Sequence, residues 1–237
     1  MSILAGPDIV RDGLVLCLDA GSRKSYPGTG TVLNDLSGQN NHGTLTNGPI
    51  FNSSNGGNIV FDGVNDYITT PTISTQFLTT GLTFSIFLYY IPTTTNDNVI
   101  CCGIGNFNGT GNGWELRFRG NNANAEFSPG RGAGGSGVPA RLQAQSYTGL
   151  GWGNRLLCFD VTYVANGLAK MYENGNLIST RDYTGVGTST QTNPIWIGRA
   201  TDSYFPGNIY SVKVYNRALT LSEIRQNFNI TRGRFNI

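Results

Sequence analysis

Residues 61–68, Phe-Asp-Gly-Val-Asn-Asp-Tyr-Ile, constrain this chain more than any other segment. An apolar run ends in Asp62-Gly63, the chain turns through Asn65-Asp66, and Tyr67-Ile68 opens a second apolar run. Asp and Asn close tight turns because their side chains bond nearby backbone amides, and Gly accepts positive φ without strain. The segment therefore reads as strand, turn, strand. The same grammar recurs along the chain, where Gly supplies 33 of 237 residues and charged residues only 13%. That balance fits many strands joined by tight turns and argues against a helical bundle. The length suits one large all-β domain with a substantial core, and no repeat or internal boundary interrupts it.

Extended runs follow one another at short intervals. Residues 59–62, 67–70, 83–91, 99–104 and 114–118 form a first block, and 155–164, 169–173, 176–180, 195–198 and 209–216 a second. In 83–91, Phe84, Ile86, Leu88 and Tyr90 fall on one face, with Ser85, Phe87 and Tyr89 on the other. A strand apolar on both faces belongs in the middle of a sandwich. Asn174-Gly175 is a strong type I′ hairpin signal. Residues 21–58 are rich in Gly, Asn, Ser and Pro and read as turns, and residues 128–137 as the most flexible loop.

One helix is expected, from Leu221 to about Phe228. Thr220 serves as N-cap, Glu223 completes a capping box, and Leu219 and Ile224 form a hydrophobic staple. Residues 1–12 and 229–237 read as short arms. The second carries Arg232, Arg234 and Phe235, which are expected either to fray or to anchor a partner.

A net charge of +2 and the lack of a basic stripe with interleaved aromatics predict no nucleic-acid partner. No stretch approaches the ~18 apolar residues of a membrane span, and Met1–Asp8 lacks the basic start and apolar core of a secretory signal. A soluble chain with reduced thiols is therefore expected. Cys17, Cys101, Cys102 and Cys158 lie in apolar runs without Cys-x-x-Cys spacing, so four buried free thiols are the simplest reading. A lone His42 with scattered cysteines does not make a zinc site. Gly132–Gly137 spells a dinucleotide fingerprint but lacks the flanking strand and helix that give it meaning.

Three segments together carry a resemblance: Gly13–Ala20 (Gly-Leu-Val-Leu-Cys-Leu-Asp-Ala), Phe61–Ile68, and Val214–Ile224. They resemble the laminin-G-like jelly roll of the concanavalin A-like lectin/glucanase superfamily, over nearly the whole chain. The resemblance implies an antiparallel β-sandwich with one short C-terminal helix. The opening, with Arg23-Lys24-Ser25-Tyr26-Pro27-Gly28-Thr29-Gly30, also resembles sequences encoded by tailed phages. It implies a non-enzymatic virion protein, either capsid decoration or a tail or fibre component. Its partners would be capsid or tail proteins, with a homo-oligomer on the particle possible. The alternative is a lectin-like module that binds cell-surface polysaccharide.

Hydrolases of this superfamily carry paired carboxylates in a Glu-x-Asp-x-x-Glu pattern on one strand. Glu115, Glu126, Glu173 and Glu223 all lack that spacing. Relatives often hold calcium at a sheet rim. Asp62 and Asp66 could converge on such a cation, or simply bond the turn's backbone. The acidic pair that relatives carry before the final strand is missing, since this chain reads Gly207-Asn208-Ile209-Tyr210-Ser211. Glycan contact would need exposed rings, and Trp114, Trp152, Trp196, Tyr147, Tyr183, Tyr204 and Phe205 qualify by type. Trp196 reads as a core strand residue and Trp152 as core packing. The loop holding Asp202, Tyr204 and Phe205 is the expected contact.

Overall fold

In the computed structural model, the long run of alternating apolar residues becomes β7 (Gly81–Tyr90), which lies between β12 (Leu156–Val164) and β16 (Pro206–Tyr215). The structure describes residues 8–73, 80–92, 97–103, 114–119, 124–129, 142–144, 152–184, 193–200, 203–235 and 237. Two antiparallel sheets face each other. The first runs β14 (Asn176–Asp182), β13 (Leu168–Glu173), β12, β7, β16, β5 (Asn58–Asp62) and β4 (Ile50–Asn52), and β1 (Leu14–Asp19) pairs with the second half of β16. The second runs β11 (Leu142–Ala144), β10 (Asn124–Ser128), β9 (Trp114–Arg119), β8 (Asp97–Gly103), β15 (Asn193–Ile197), β6 (Tyr67–Ile73), β3 (Gly43–Thr46) and β2 (Val32–Leu33).

Between the sheets, Phe84, Ile86, Leu88, Phe159, Val161, Val212 and Val214 meet Leu116, Phe118, Phe127, Ile195 and Ile197, all of them buried. Burial of each such side chain stabilises the fold by roughly 1.5–3 kcal/mol, the dominant favourable contribution. The expected Asn174-Gly175 hairpin is present, with φ of 49° and 75°, and joins β13 to β14. The turn-rich stretch 21–58 hides three short strands, β2 to β4. Asn47 and Gly48, both at positive φ, carry the chain from one sheet to the other.

The first sheet also has an apolar outer face, and α1 (Leu221–Arg232) covers it. Both halves of the capping box form: Thr220 Oγ1 accepts the Glu223 amide, and the Glu223 carboxylate accepts the Thr220 amide at 2.8 Å. Arg217 grips the same carboxylate through two nitrogens at 3.0 and 2.6 Å. Arg217 hydrogen bonds are the main cause that brings Glu223 down to about 2. Ile224 and Phe228 face the sheet, and Phe228 stacks on Phe87 with ring centroids 6.2 Å apart.

The terminal segments correct the expectation of free arms. The helix continues through residues 229–232, four residues further than the sequence suggests. Beyond it, Phe235 packs on Phe87 (5.0 Å) and Tyr210 (5.1 Å), while Arg234 Nη1 reaches both Asp19 oxygens at 2.7 and 2.8 Å. Arg234 and Phe235 thus anchor the chain to its own sheet. Arg232 is exposed, with its guanidinium 5.6 Å from the Phe228 ring. At the other end, the Val10 amide donates to Asn227 Oδ1 and the Val10 carbonyl accepts the Tyr215 hydroxyl.

Candidate functional site

The pairing of β6 with β15 builds the candidate site. Ile68 and Ile197 are cross-strand partners, and both point into the core. Side chains alternate along a strand, so their neighbours Tyr67 and Trp196 lie on the outer face, half-buried, with rings 6.2 Å apart at 63°. After β15 the chain turns at Gly198, whose φ is +84° and which lies against Phe61. Arg199 and Tyr204 then form an isolated antiparallel bridge, tied by the Ala200 amide to the Ser203 carbonyl and the Phe205 amide to the Gly198 carbonyl. This return places the Arg199 guanidinium over three rings. It stands 4.2 Å from the Trp196 ring, 4.7 Å from Tyr67 and 5.6 Å from Tyr204. Guanidinium–ring attraction is worth ~0.5–2 kcal/mol per good contact, so the patch holds its own shape. The result is a half-buried surface of three aromatic rings around one cation.

Several expected contacts sit elsewhere. Phe205 is fully buried against Phe61 and Tyr90, which corrects the reading of it as an exposed contact. Pro206 begins β16 directly after it, so Phe205 turns inward as Tyr204 turns out. Trp114, Trp152 and Tyr183 are buried as well, and the Tyr183 hydroxyl accepts the Leu142 amide at 2.8 Å. Trp152 does pack in the core, against Phe118 and Phe159. Trp196 is the reverse case: expected in the core, it belongs to the outer patch. Asp202, Tyr147 and residues 130–137 lie outside the described residues, as do the side chains of Cys101 and Cys102. Cys17 and Cys158 are free and buried, and desolvation pushes both thiols up.

The Asp62–Asp66 turn precedes Tyr67. Asp62 Oδ1 accepts the amides of Val64 (2.7 Å) and Asn65 (3.2 Å), and Asp66 Oδ2 accepts the Asp62 amide (3.1 Å). Desolvation opposes the Asp62 charge, yet these backbone donors outweigh it and hold the carboxyl below its ordinary range. Desolvation raises the buried Asp66, and the nearby Asp62 charge adds to it. Among the described residues, no three His, Cys, Asp or Glu side chains gather as a metal site. A calcium ion at this turn would draw most of its six to eight oxygens from backbone carbonyls and solvent.

Sequence spacing also missed a convergence of carboxylates. Arg117 and Glu126 are cross-strand partners on β9 and β10, and Arg117 Nε lies 3.0 Å from Glu115 Oε1 and 3.2 Å from Glu126 Oε2. Two glutamates therefore meet through strand register, where a single-strand motif cannot find them. One guanidinium stands between them, and all three side chains are buried. A separate cleft of about 360 Å³ lies among Arg23, Tyr26, Pro27, Gly28, Phe51 and Gly57.

Residues 62–225 match the laminin-G-like model of the concanavalin A-like lectin/glucanases superfamily, and the chain belongs to that family. No curated protein matches the sequence. Among solved structures, the chain is similar to the receptor binding domain of botulinum neurotoxin C/D mosaic serotype, with a TM-score of 0.70 and 17% identity over 94% of this chain and 52% of that one. It is similar to the botulinum neurotoxin serotype D ligand binding domain in complex with N-acetylneuraminic acid (TM-score 0.69, 17% identity, 94% and 52%). It also matches the binding domain of Paraclostridial Mosquitocidal Protein 1 (0.68, 16%, 93% and 52%). The chain spans about half the length of these structures. Likeness at such identity defines the fold. Among the described residues, no helix is long and apolar enough to cross a membrane.

Proposed function

We propose that the chain is a carbohydrate-binding module that performs no catalysis, and that it holds acidic cell-surface glycans on the Tyr67–Trp196–Arg199–Tyr204 patch. The observation that carries this reading is the Arg199 guanidinium held over three half-buried rings. Ring edges and faces pack against sugar C–H surfaces, and a guanidinium is the side chain best matched to a carboxylate. Membership of a superfamily that includes lectins supports the reading. So does the similarity to binding domains, one of them described with bound N-acetylneuraminic acid. Single contacts of this kind are weak, and several copies on one surface would add avidity. The test is binding of acidic and neutral oligosaccharides by titration calorimetry, with Arg199→Gln and Tyr204→Ala beside the wild type. Loss of acidic-glycan binding in both variants, with Phe51→Ala in the separate cleft unaffected, is the expected result.

A finer reading places the module on a tailed-phage particle, as capsid decoration or a tail or fibre component. Its specific support is the resemblance of the Gly13–Ala20 and Arg23–Gly30 opening to phage-encoded sequences. Gold-labelled antibody on purified particles tests it. Regular labelling of heads or tails is expected, and unlabelled particles with free protein in the lysate would refute it.

A further inference from the structure

The outer face of the first sheet carries a row of polar side chains that the packing of α1 does not explain. Register places Asp160 beside Ser85, Ser85 beside Lys213, and Lys213 beside Cys17, one on each of four adjacent strands. Strands lie about 4.8 Å apart, so the Lys213 and Asp160 backbones are separated by roughly two strand spacings, and the two side chains interact through space without a hydrogen bond. Lys213 is only 5% exposed. Its ammonium lies 5.8 Å from the Phe87 ring and makes no hydrogen bond or ion pair among the described residues. The buried Asp160 carboxylate acts on this charge through space, without a hydrogen bond, so the donors of the ammonium remain available to a bound group.

Lys213 lines a cleft of about 260 Å³ between the N-terminal segment, β1 and the end of α1. Arg11 and Arg234 line it too, as do Asp8 and Asp19. Each carboxylate is already matched: Asp8 to Arg11 at 2.9 Å, and Asp19 to Arg234 at 2.7 Å. The third cation, Lys213, pairs with neither of the acids that line the cleft. Ser211 Oγ, on β16 opposite Asp19, is a buried polar atom left unsatisfied, and so is Arg234 Nε, which lies against Gly56. The helix end nearby does not supply the missing acceptor. The Thr231 carbonyl takes the amides of Gly233 and Arg234, and the Arg232 carbonyl takes that of Phe235.

We propose that this cleft is a binding site for a small oxyanion, a single phosphate or carboxylate group, held by Lys213 Nζ, with Arg11 at its mouth. The site is independent of the Arg199 patch. Size supports the assignment, because a cleft of about 260 Å³ admits one such group and its immediate substituent but no large ligand.

The test is calorimetric titration of the whole chain with sodium phosphate, and in a second arm with glucuronate, against chloride at matched ionic strength. One saturable site per chain is expected. Lys213→Met, which keeps the apolar stem, should weaken binding about tenfold or more, the effect of removing a charge-assisted bond. Arg11→Gln, on the exposed rim and with no role in the core, should weaken it less, and Arg199→Gln should leave it unchanged. The tighter of the two probes identifies the physiological source as a phosphate or an acidic sugar. Absence of saturable binding by both probes overturns the proposal. Unchanged affinity in Lys213→Met does the same, or unchanged affinity in Arg11→Gln should Lys213→Met fail to fold.

Discussion

Asp160 offers the sharpest quantitative check on the packing beneath α1. Its carboxyl is fully buried between β12 and the helix, where it accepts the Cys158 thiol at 3.5 Å. Desolvation is the main cause that pushes it up to about 6, against hydrogen bonds from Ser85 and Cys158 and the Lys213 charge two strands away. In the unfolded chain the group titrates near its ordinary value of 3.8. Between these limits the native state binds more protons than the unfolded one, so stability falls as pH rises. About two pK units correspond to about 3 kcal/mol, a large share of the ~5–15 kcal/mol that holds a domain together. The loss is complete once pH passes about 6 and stays constant above it. Asp160→Asn keeps a hydrogen-bonding amide and removes the ionisation. Urea unfolding at pH 4, 5, 6, 7 and 8 should show the wild type losing about 2 kcal/mol relative to the variant, the rest of the loss falling below pH 4. Parallel pH profiles would refute the reasoning, because they would mean that Asp160 ionises in the native state as freely as in water.

Other consequences are more local. Glu223→Gln keeps an acceptor for the Thr220 amide but loses the charge and one oxygen of the bidentate Arg217 contact, and should cost about 1 kcal/mol at pH 7 by chemical denaturation. The Glu223 pKa is depressed in the native state, so its contribution is present above the ordinary carboxylate range and lost as pH falls through about 2; the variant's deficit should vanish there. Phe235→Ala removes the ring wedged between Phe87 and Tyr210. About 3 kcal/mol of destabilisation and faster amide exchange in α1 are expected. Gly207→Ala adds a Cβ that would run into the Tyr89 backbone carbonyl, at a φ of +140°. It should destabilise by more than about 1 kcal/mol, where an alanine at a permissive glycine would not.

The β-sandwich was legible because its signals are local. Alternation in residues 83–91 gave both the strand and its central place, Asn174-Gly175 gave a hairpin, and Thr220 with Glu223 gave the helix start. The end of the helix was not legible. Residues 229–232 are held by Arg234 reaching Asp19 and Phe235 reaching Phe87, contacts across more than 140 residues that no local pattern encodes. The short strands in 21–58 were missed because their pairing comes from neighbouring strands, while their own composition is that of turns.

The candidate site was half legible for the same reason. Tyr204 was found from its loop, but its neighbour Phe205 was misread, since composition does not tell which of two adjacent rings turns inward. Trp196 was misread from its apolar neighbours Ile195 and Ile197, although strict alternation puts it on the opposite face from both. Arg199 went unnoticed because its meaning comes only from the rings of β6 and β15 beneath it. The Glu115–Arg117–Glu126 cluster escaped for the matching reason that its members meet across strands.

Glycan binding by the Arg199 patch is the central claim, and a titration tests it most directly. The measurement is calorimetry of the wild-type chain with an acidic oligosaccharide, repeated with Arg199→Gln after circular dichroism has shown the variant folded. The account predicts saturable binding by the wild type, weaker binding of the uncharged analogue, and loss of binding in the variant. Absence of binding by the wild type, or equal binding by the variant, would contradict it.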